Sequence, residues 1–149
     1  MRVFHTEDLP RKSEGKVGKT IKNILVHMHG GGYVALTSRG SQSFTRAWVN
    51  EVKIPMFSID YRLAPHSRFP QQIFDCLRVY EFLLSHIHKY FHIDPQNTFI
   101  FGDSAGGNIA CGLTAMILKS GLKTPAGMFL AYPNLEARKI FYGSRKYIL

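Results

Sequence analysis

The sequence predicts an α/β fold, with a parallel sheet of about four strands and helices on both faces. Three observations predict it. Short apolar runs of strand length recur along the chain, separated by longer segments whose apolar residues have helical spacing. Two of these runs end in glycine-rich turns, His29-Gly-Gly-Gly-Tyr33 and Gly102-Asp-Ser-Ala-Gly-Gly-Asn108. Strands alternating with helices are the pattern of right-handed crossovers between parallel strands.

Residues 1–22 form a polar, basic N-terminal segment. Within it, Gly15-Lys-Val-Gly-Lys-Thr20 has the look of a phosphate-binding loop. That loop needs glycine at position 13, where Ser13 stands, and a strand before it, which is missing. Asn23 to Met28 is the first buried strand. Phe44, Ala47, Trp48 and Val52 then mark a helix over roughly Ser41 to Lys53. Pro55 to Asp60 is the second strand. Phe69-Pro70 opens a long helix with an apolar stripe at Ile73, Leu77, Tyr80, Leu84 and Ile87. Asp94-Pro95 breaks the chain, and Thr98 to Phe101 is the third strand. A helix from 104 to about 119 stops at Gly121, a natural left-handed terminator. Gly127 to Pro133 is the fourth strand, and a divergent basic tail occupies 136–149.

The two glycine turns carry the chemistry. Phe99-Ile-Phe101 runs into Gly102-Asp103-Ser104-Ala105-Gly106, a G-x-S-x-G pentapeptide, and an apolar helix follows. Strand, sharp turn and helix are the setting of a nucleophile elbow. Gly102 and Gly106 lack Cβ atoms, so strand and helix can crowd around a strained Ser104. The hydroxyl then stands at a helix N-terminus, which favours developing negative charge. Upstream, His29-Gly30-Gly31-Gly32 follows a strand, and its glycine amides can turn toward an oxyanion. H-G-G-G ahead of G-x-S-x-G is a lipase and esterase pairing. Read blandly, each turn is only a flexible connection; the two together argue for acyl transfer.

These motifs give the chain a resemblance to a known family. His27-Met-His-Gly-Gly-Gly-Tyr-Val-Ala-Leu-Thr-Ser38, Ser58-Ile-Asp-Tyr-Arg-Leu-Ala-Pro65, Phe69-Pro70 and Gly102-Asp-Ser-Ala-Gly-Gly-Asn108 resemble the hormone-sensitive lipase family of α/β-hydrolases. Arylacetamide deacetylases and carboxylesterases are its relatives. The resemblance covers about Asn23 to Pro133 and implies a partial α/β-hydrolase core over 23–135. It implies a serine esterase or lipase acting on a small-molecule or lipid ester, with no cofactor. Ser104 is the implied nucleophile. Gly31, Gly32 and Ala105 would donate to the oxyanion, with Gly30 shaping the loop. His29, Gly102, Asp103, Gly106 and Gly107 support the motifs. Asp60 and Arg62 brace loops around the site rather than react. The implied sheet order sets the second, first, third and fourth strands side by side. Met56–Asp60 and Met128–Tyr132 are then expected to be open, apolar edges.

Two features depart from the family. His66 stands where glutamate usually follows Leu-Ala-Pro. More seriously, a serine nucleophile needs an oriented histidine and an acid, in the order Ser, acid, His. After Ser104 the chain has one acid, Glu136, where the family does not place its acid, and no histidine. The resemblance therefore implies a piece of the fold, truncated before the acid and histidine. The alternatives are an inactive binder of acyl ligands or of a partner, and a basic lipid-surface or nucleic-acid binder.

Composition narrows these. The net charge of +9 comes largely from basic clusters near both ends, around Arg11-Lys12, Lys16 to Lys22, Arg138-Lys139 and Arg145-Lys146. Such scattered charge suits solvated ends or weak attraction to anionic lipid, not a nucleic-acid groove. Cys76 and Cys111 both fall in expected helices, so a reduced, cytoplasmic chain fits better than a disulfide framework. No secretory signal or membrane span is expected. His88 and His92 are four apart, but no H-E-x-x-H pattern or cysteine pair supports a metal.

Overall fold

The computed structural model of the chain describes residues 1–5, 9, 11, 12 and 19–135. Most of the Gly15–Thr20 stretch, Glu136 and the basic tail lie outside the described residues. Among the described residues, five strands form one sheet: β1 (Arg2–Phe4), β2 (Ile21–Met28), β3 (Met56–Ile59), β4 (Ile93–Asp103) and β5 (Gly127–Ala131). The spatial order is β1-β3-β2-β4-β5. Within β3-β2-β4-β5 every pairing is parallel, in the order the resemblance implied.

The sheet corrects two expectations. Met56–Ile59 is not an open edge, because β1 pairs antiparallel with it, Phe4 opposite Met56. The N-terminal segment thus supplies the strand that covers β3, and Phe4 joins Val49 and Met56 in a small core. Pro95 does not precede the third strand but lies within it. The β2–β4 register passes from Ile21↔Ile93 to Asn23↔Asn97, so extra residues bulge out around Pro95 and leave no ladder bond for its missing N–H.

Among the described residues, three α-helices cover the sheet: α1 (Gln42–Val52), α2 (Gln71–Ser85) and α3 (Ala105–Ser120). The larger core joins β2, β3 and β4 to α2 and α3. In it Ile24, Val26, Met28, Phe57, Ile59 and Ile100 meet Ile73, Tyr80, Ile109, Leu113 and Ile117. The buried stripe of α2 runs Ile73, Cys76, Tyr80, Leu83, and Ile87 continues it just beyond the helix. Leu77 and Leu84, expected in that stripe, sit half-buried beside it. The α3 helix ends at Gly121 with φ +72°, as expected.

On the other face α1 buries Thr45 and Val49, while Ala47, Trp48 and Val52 stay exposed. Part of that face is open: Trp48 packs on Phe101 and Phe129 beside an apolar groove of about 560 Å³. The β5 strand is an edge with Met128 and Phe129 exposed, as expected for Met128–Tyr132. Among the described residues, no helix is long and apolar enough to cross a membrane.

Candidate active site

The parallel strands deliver two turns to one end of the sheet, one from β2 and one from β4. Ser104 links β4 to α3 and caps the helix with φ +52° and ψ −117°. A non-glycine residue in that region costs about 1–3 kcal/mol unless its surroundings hold it. They do. Ser104 N–H donates to the Ala131 carbonyl at 3.0 Å, and the Ser104 carbonyl accepts from Asn108 N–H and Asn134 N–H. Close backbone approach forces glycine on either side. A Cβ on Gly102 would lie 2.3 Å from the Gly106 carbonyl oxygen, and one on Gly106 2.1 Å from that of Met28. Gly107 abuts Pro133, and Ala105 is buried. Among the described residues, nothing hydrogen-bonds the Ser104 hydroxyl.

The glycine loop after β2 is held one peptide plane at a time. Its first plane, His29–Gly30, has both ends engaged: Tyr61 OH donates to the His29 carbonyl, and Gly30 N–H donates to Asp103 Oδ1 at 3.1 Å. In the second, His29 Nδ1 donates to the Gly30 carbonyl at 2.7 Å. In the third, the Gly31 carbonyl accepts from Val34 and Ala35 N–H. A trans peptide points its N–H opposite its C=O. Fixing the Gly30 and Gly31 carbonyls therefore fixes the directions of the Gly31 and Gly32 N–H groups. Positive φ at both, +105° and +61°, is what lets the loop take this path.

Aromatic and polar residues pin the frame. The His29 ring stacks on Tyr61 at 4.4 Å. Burial pushes the Tyr61 phenol far above its ordinary range, so it remains a donor. Tyr33 OH donates to Asn108 Oδ1 at 2.8 Å, tying the loop to α3, and burial raises that phenol to about 12. Asp60 accepts from Ser38 N–H and Oγ at the far end of the loop. Burial draws the Asp60 carboxyl upward, but the two Ser38 bonds and the N-terminal ammonium outweigh it and hold the group low. Arg62 makes a two-pronged pair with Asp75 on α2. Asp60 and Arg62 thus brace loops, as expected. Tyr61, Tyr33, Asn108 and Ser58 were not among the expected site residues. The residues around Tyr61 and Asn108 were conspicuous, but their partners lie tens of residues away.

His29 gives the site a pH dependence. Burial is the main cause that lowers its pKa, opposed by the Gly30 carbonyl bond and helped by nearby His27. A lowered histidine folds best in its neutral form. The stabilisation is complete above the ordinary value of about 6.5 and is lost as pH falls through the folded value. Thermal melts at constant ionic strength should show Tm dropping as pH falls below about 6.5, with a shallower slope in His29→Gln. Equal slopes in the two proteins would remove His29 from the explanation.

The model of the Abhydrolase_3 family, described as having the alpha/beta hydrolase fold, matches residues 25–147. The chain belongs to this family. It is 35% identical to hormone-sensitive lipase of Homo sapiens over 112 residues, 75% of this chain and 10% of the relative. To neutral cholesterol ester hydrolase 1 of Bos taurus it is 35% identical over 146 residues, 92% of this chain and 33% of the relative. Among solved structures, a bacterial heroin esterase superposes with TM-score 0.73 at 31% identity, covering 78% of this chain and 37% of that one. A hormone-sensitive lipase from a metagenome library gives TM-score 0.68 at 31% identity, with 78% and 37% covered. The chain therefore spans between 10% and 37% of the length of these proteins. The resemblance to the hormone-sensitive lipase family is borne out, and its relatives are lipases and esterases. The family match also runs past Leu135, into the tail.

Proposed function

We propose that this chain carries the nucleophile and oxyanion-binding half of a serine carboxylic-ester hydrolase. The observation that supports it is the strained Ser104 elbow, packed against a glycine loop whose peptide planes are each pinned. Ser104 Oγ attacks the ester carbonyl carbon, and the alcohol leaves after the tetrahedral intermediate collapses. Water then releases the acid from the acyl-serine. The developing oxyanion takes hydrogen bonds from Gly31, Gly32 and Ala105 N–H, each a donor placed before reaction begins. Lipase and cholesterol ester hydrolase relatives suggest a lipid ester as substrate.

The proton of Ser104 needs a base. His27 and His29 are buried and engaged elsewhere, and no histidine follows Ser104 in the sequence. The proposal draws the histidine and acid from outside these 149 residues, as the greater length of the relatives allows. The same gap favours a second reading, an inactive fold that binds acyl ligands.

Added imidazole supplies the missing base and separates the two. Alone, the chain should hydrolyse a short p-nitrophenyl ester at no more than the residual rate of about 10³–10⁴ over water. With imidazole, the rate should exceed that of Ser104→Ala and saturate with ester. The absence of any Ser104-dependent rate at any imidazole concentration would overturn the nucleophile assignment. Tight acyl-ligand binding in that case favours the inactive binder. Fast Ser104-dependent turnover without imidazole would place the base within the chain.

A further inference from the structure

We infer that Ser58, His27 and Asp103 form a relay across three strands that aims the oxyanion loop, with Asp103 and His27 as positioning residues. The inference rests on the proposed ester chemistry for its purpose, though not for its geometry. Residues 27 and 58 are register partners on β2 and β3, and His27 lies opposite Phe101 on β4, two residues before Asp103. All three side chains are buried. His27 Nδ1 lies 2.8 Å from Ser58 Oγ, and His27 Nε2 lies 3.4 Å from Asp103 Oδ1. The same Oδ1 accepts the Gly30 N–H at 3.1 Å.

Donor and acceptor roles follow from chemistry. A carboxylate oxygen only accepts, so the hydrogen toward Asp103 sits on Nε2. With one ring proton, Nδ1 is then an acceptor, and the Ser58 hydroxyl donates to it. Ring contacts fix the imidazole as well: it stacks on Phe101 at 5.0 Å and meets the edge of Phe44 at 5.8 Å. With its ring fixed and its tautomer set, His27 holds one side of the carboxylate. Asp103 then presents Oδ1 to Gly30 and packs Oδ2 against it, so closely that a Cβ there would lie 2.5 Å away. This sets the first plane of the loop, from which the Gly31 and Gly32 amides follow.

A residue with this role should change the reaction after binding. In imidazole-supported Ser104 acylation, Asp103→Ala should lower the maximal rate by about 10²-fold, as for loss of one oxyanion donor, with KM within about threefold. Asp103→Asn keeps an accepting Oδ1 and should recover most of that loss. An activity-independent readout is the Gly30 amide in ¹H–¹⁵N spectra. Its hydrogen-bonded shift and slow exchange should be lost in Asp103→Ala and kept in Asp103→Asn. Ser58→Ala should leave the fold intact and shift the His27 Nδ1 resonance by removing its hydrogen bond, while the proton stays on Nε2 beside Asp103. An unchanged Gly30 amide in Asp103→Ala, or an unchanged His27 spectrum in Ser58→Ala, would overturn the relay. If Asp103→Ala does not fold, Asp103→Asn and Ser58→Ala still decide: a Gly30 amide lost in Asp103→Asn refutes the accepting role. If Ser104→Ala has no effect on the rate while these spectra behave as expected, the ester chemistry fails and the relay stands.

Discussion

Gly106→Ala is expected to melt about 6–12 °C below the wild-type chain, or not to reach the folded state. The first turn of α3 presses on the end of β2 at this residue. A methyl group would stand 2.1 Å from the Met28 carbonyl oxygen and 2.6 Å from that of His29. Both obstacles are backbone, so no side-chain rotation relieves the contact. Overpacking of this kind costs up to about 3 kcal/mol, and each kcal/mol shifts Tm by about 2–4 °C in a domain of this size. The damage is also local to the site. Pushing α3 off β2 separates the Ala105 amide from the glycine loop. Gly32→Ala is the control: φ is +61°, but nothing lies within 4 Å of the added methyl group. Its cost is backbone strain alone, about 1 kcal/mol. If Gly106→Ala melted within about 2 °C of the wild type, the close packing of helix on strand would be wrong.

That contrast shows which parts were legible in the sequence. Gly102 and Gly31 each solve a backbone problem posed four residues on, by Gly106 and Ala35, so the two turns could be read from their motifs; Gly106 and Gly30 also answer to Met28 and Asp103, contacts that only the folded sheet brings about. The four parallel strands were legible for a similar reason, since each is an apolar run bounded by its own turn. β1 was not. Arg2-Val-Phe4 is too short for any periodicity, and what makes it a strand is the partner it meets, Phe4 against Met56. The outward turn of Trp48 and Val52 was hidden as well. Helical spacing says that a helix has an apolar side, not that part of the sheet beneath it lies open. The relay was least legible of all. Ser58, His27 and Asp103 lie 31 and 76 residues apart, and a single polar residue in an apolar run has no periodic signature. His27 opens the His27-Met-His-Gly-Gly-Gly motif, but its partners come only from the strand order.

The second large effect is expected at Gly31, and it should fall on rate more than on stability. Gly31 has φ +105°, and a Cβ there would lie 2.2 Å from the Ala35 carbonyl oxygen. The Gly31 carbonyl accepts from Ala35 N–H at 3.0 Å, so residues 31 and 35 clasp the loop into its turn. An alanine at 31 must open that clasp. The Gly31–Gly32 plane then rotates, and the Gly32 N–H no longer points where the carbonyl was holding it. The loop is at the surface end of the sheet, so the turn can give way without disturbing the core beneath. Losing one preset oxyanion donor lowers turnover by about 10²–10³-fold. In imidazole-supported hydrolysis of a p-nitrophenyl ester, Gly31→Ala should therefore fall close to the Ser104→Ala rate. Gly32→Ala, whose methyl group meets open space, should stay within about tenfold of wild type. Equal losses at 31 and 32 would show that strain at positive φ is the cause. A Gly31→Ala protein as fast as wild type would mean that the glycine loop does not bind the oxyanion.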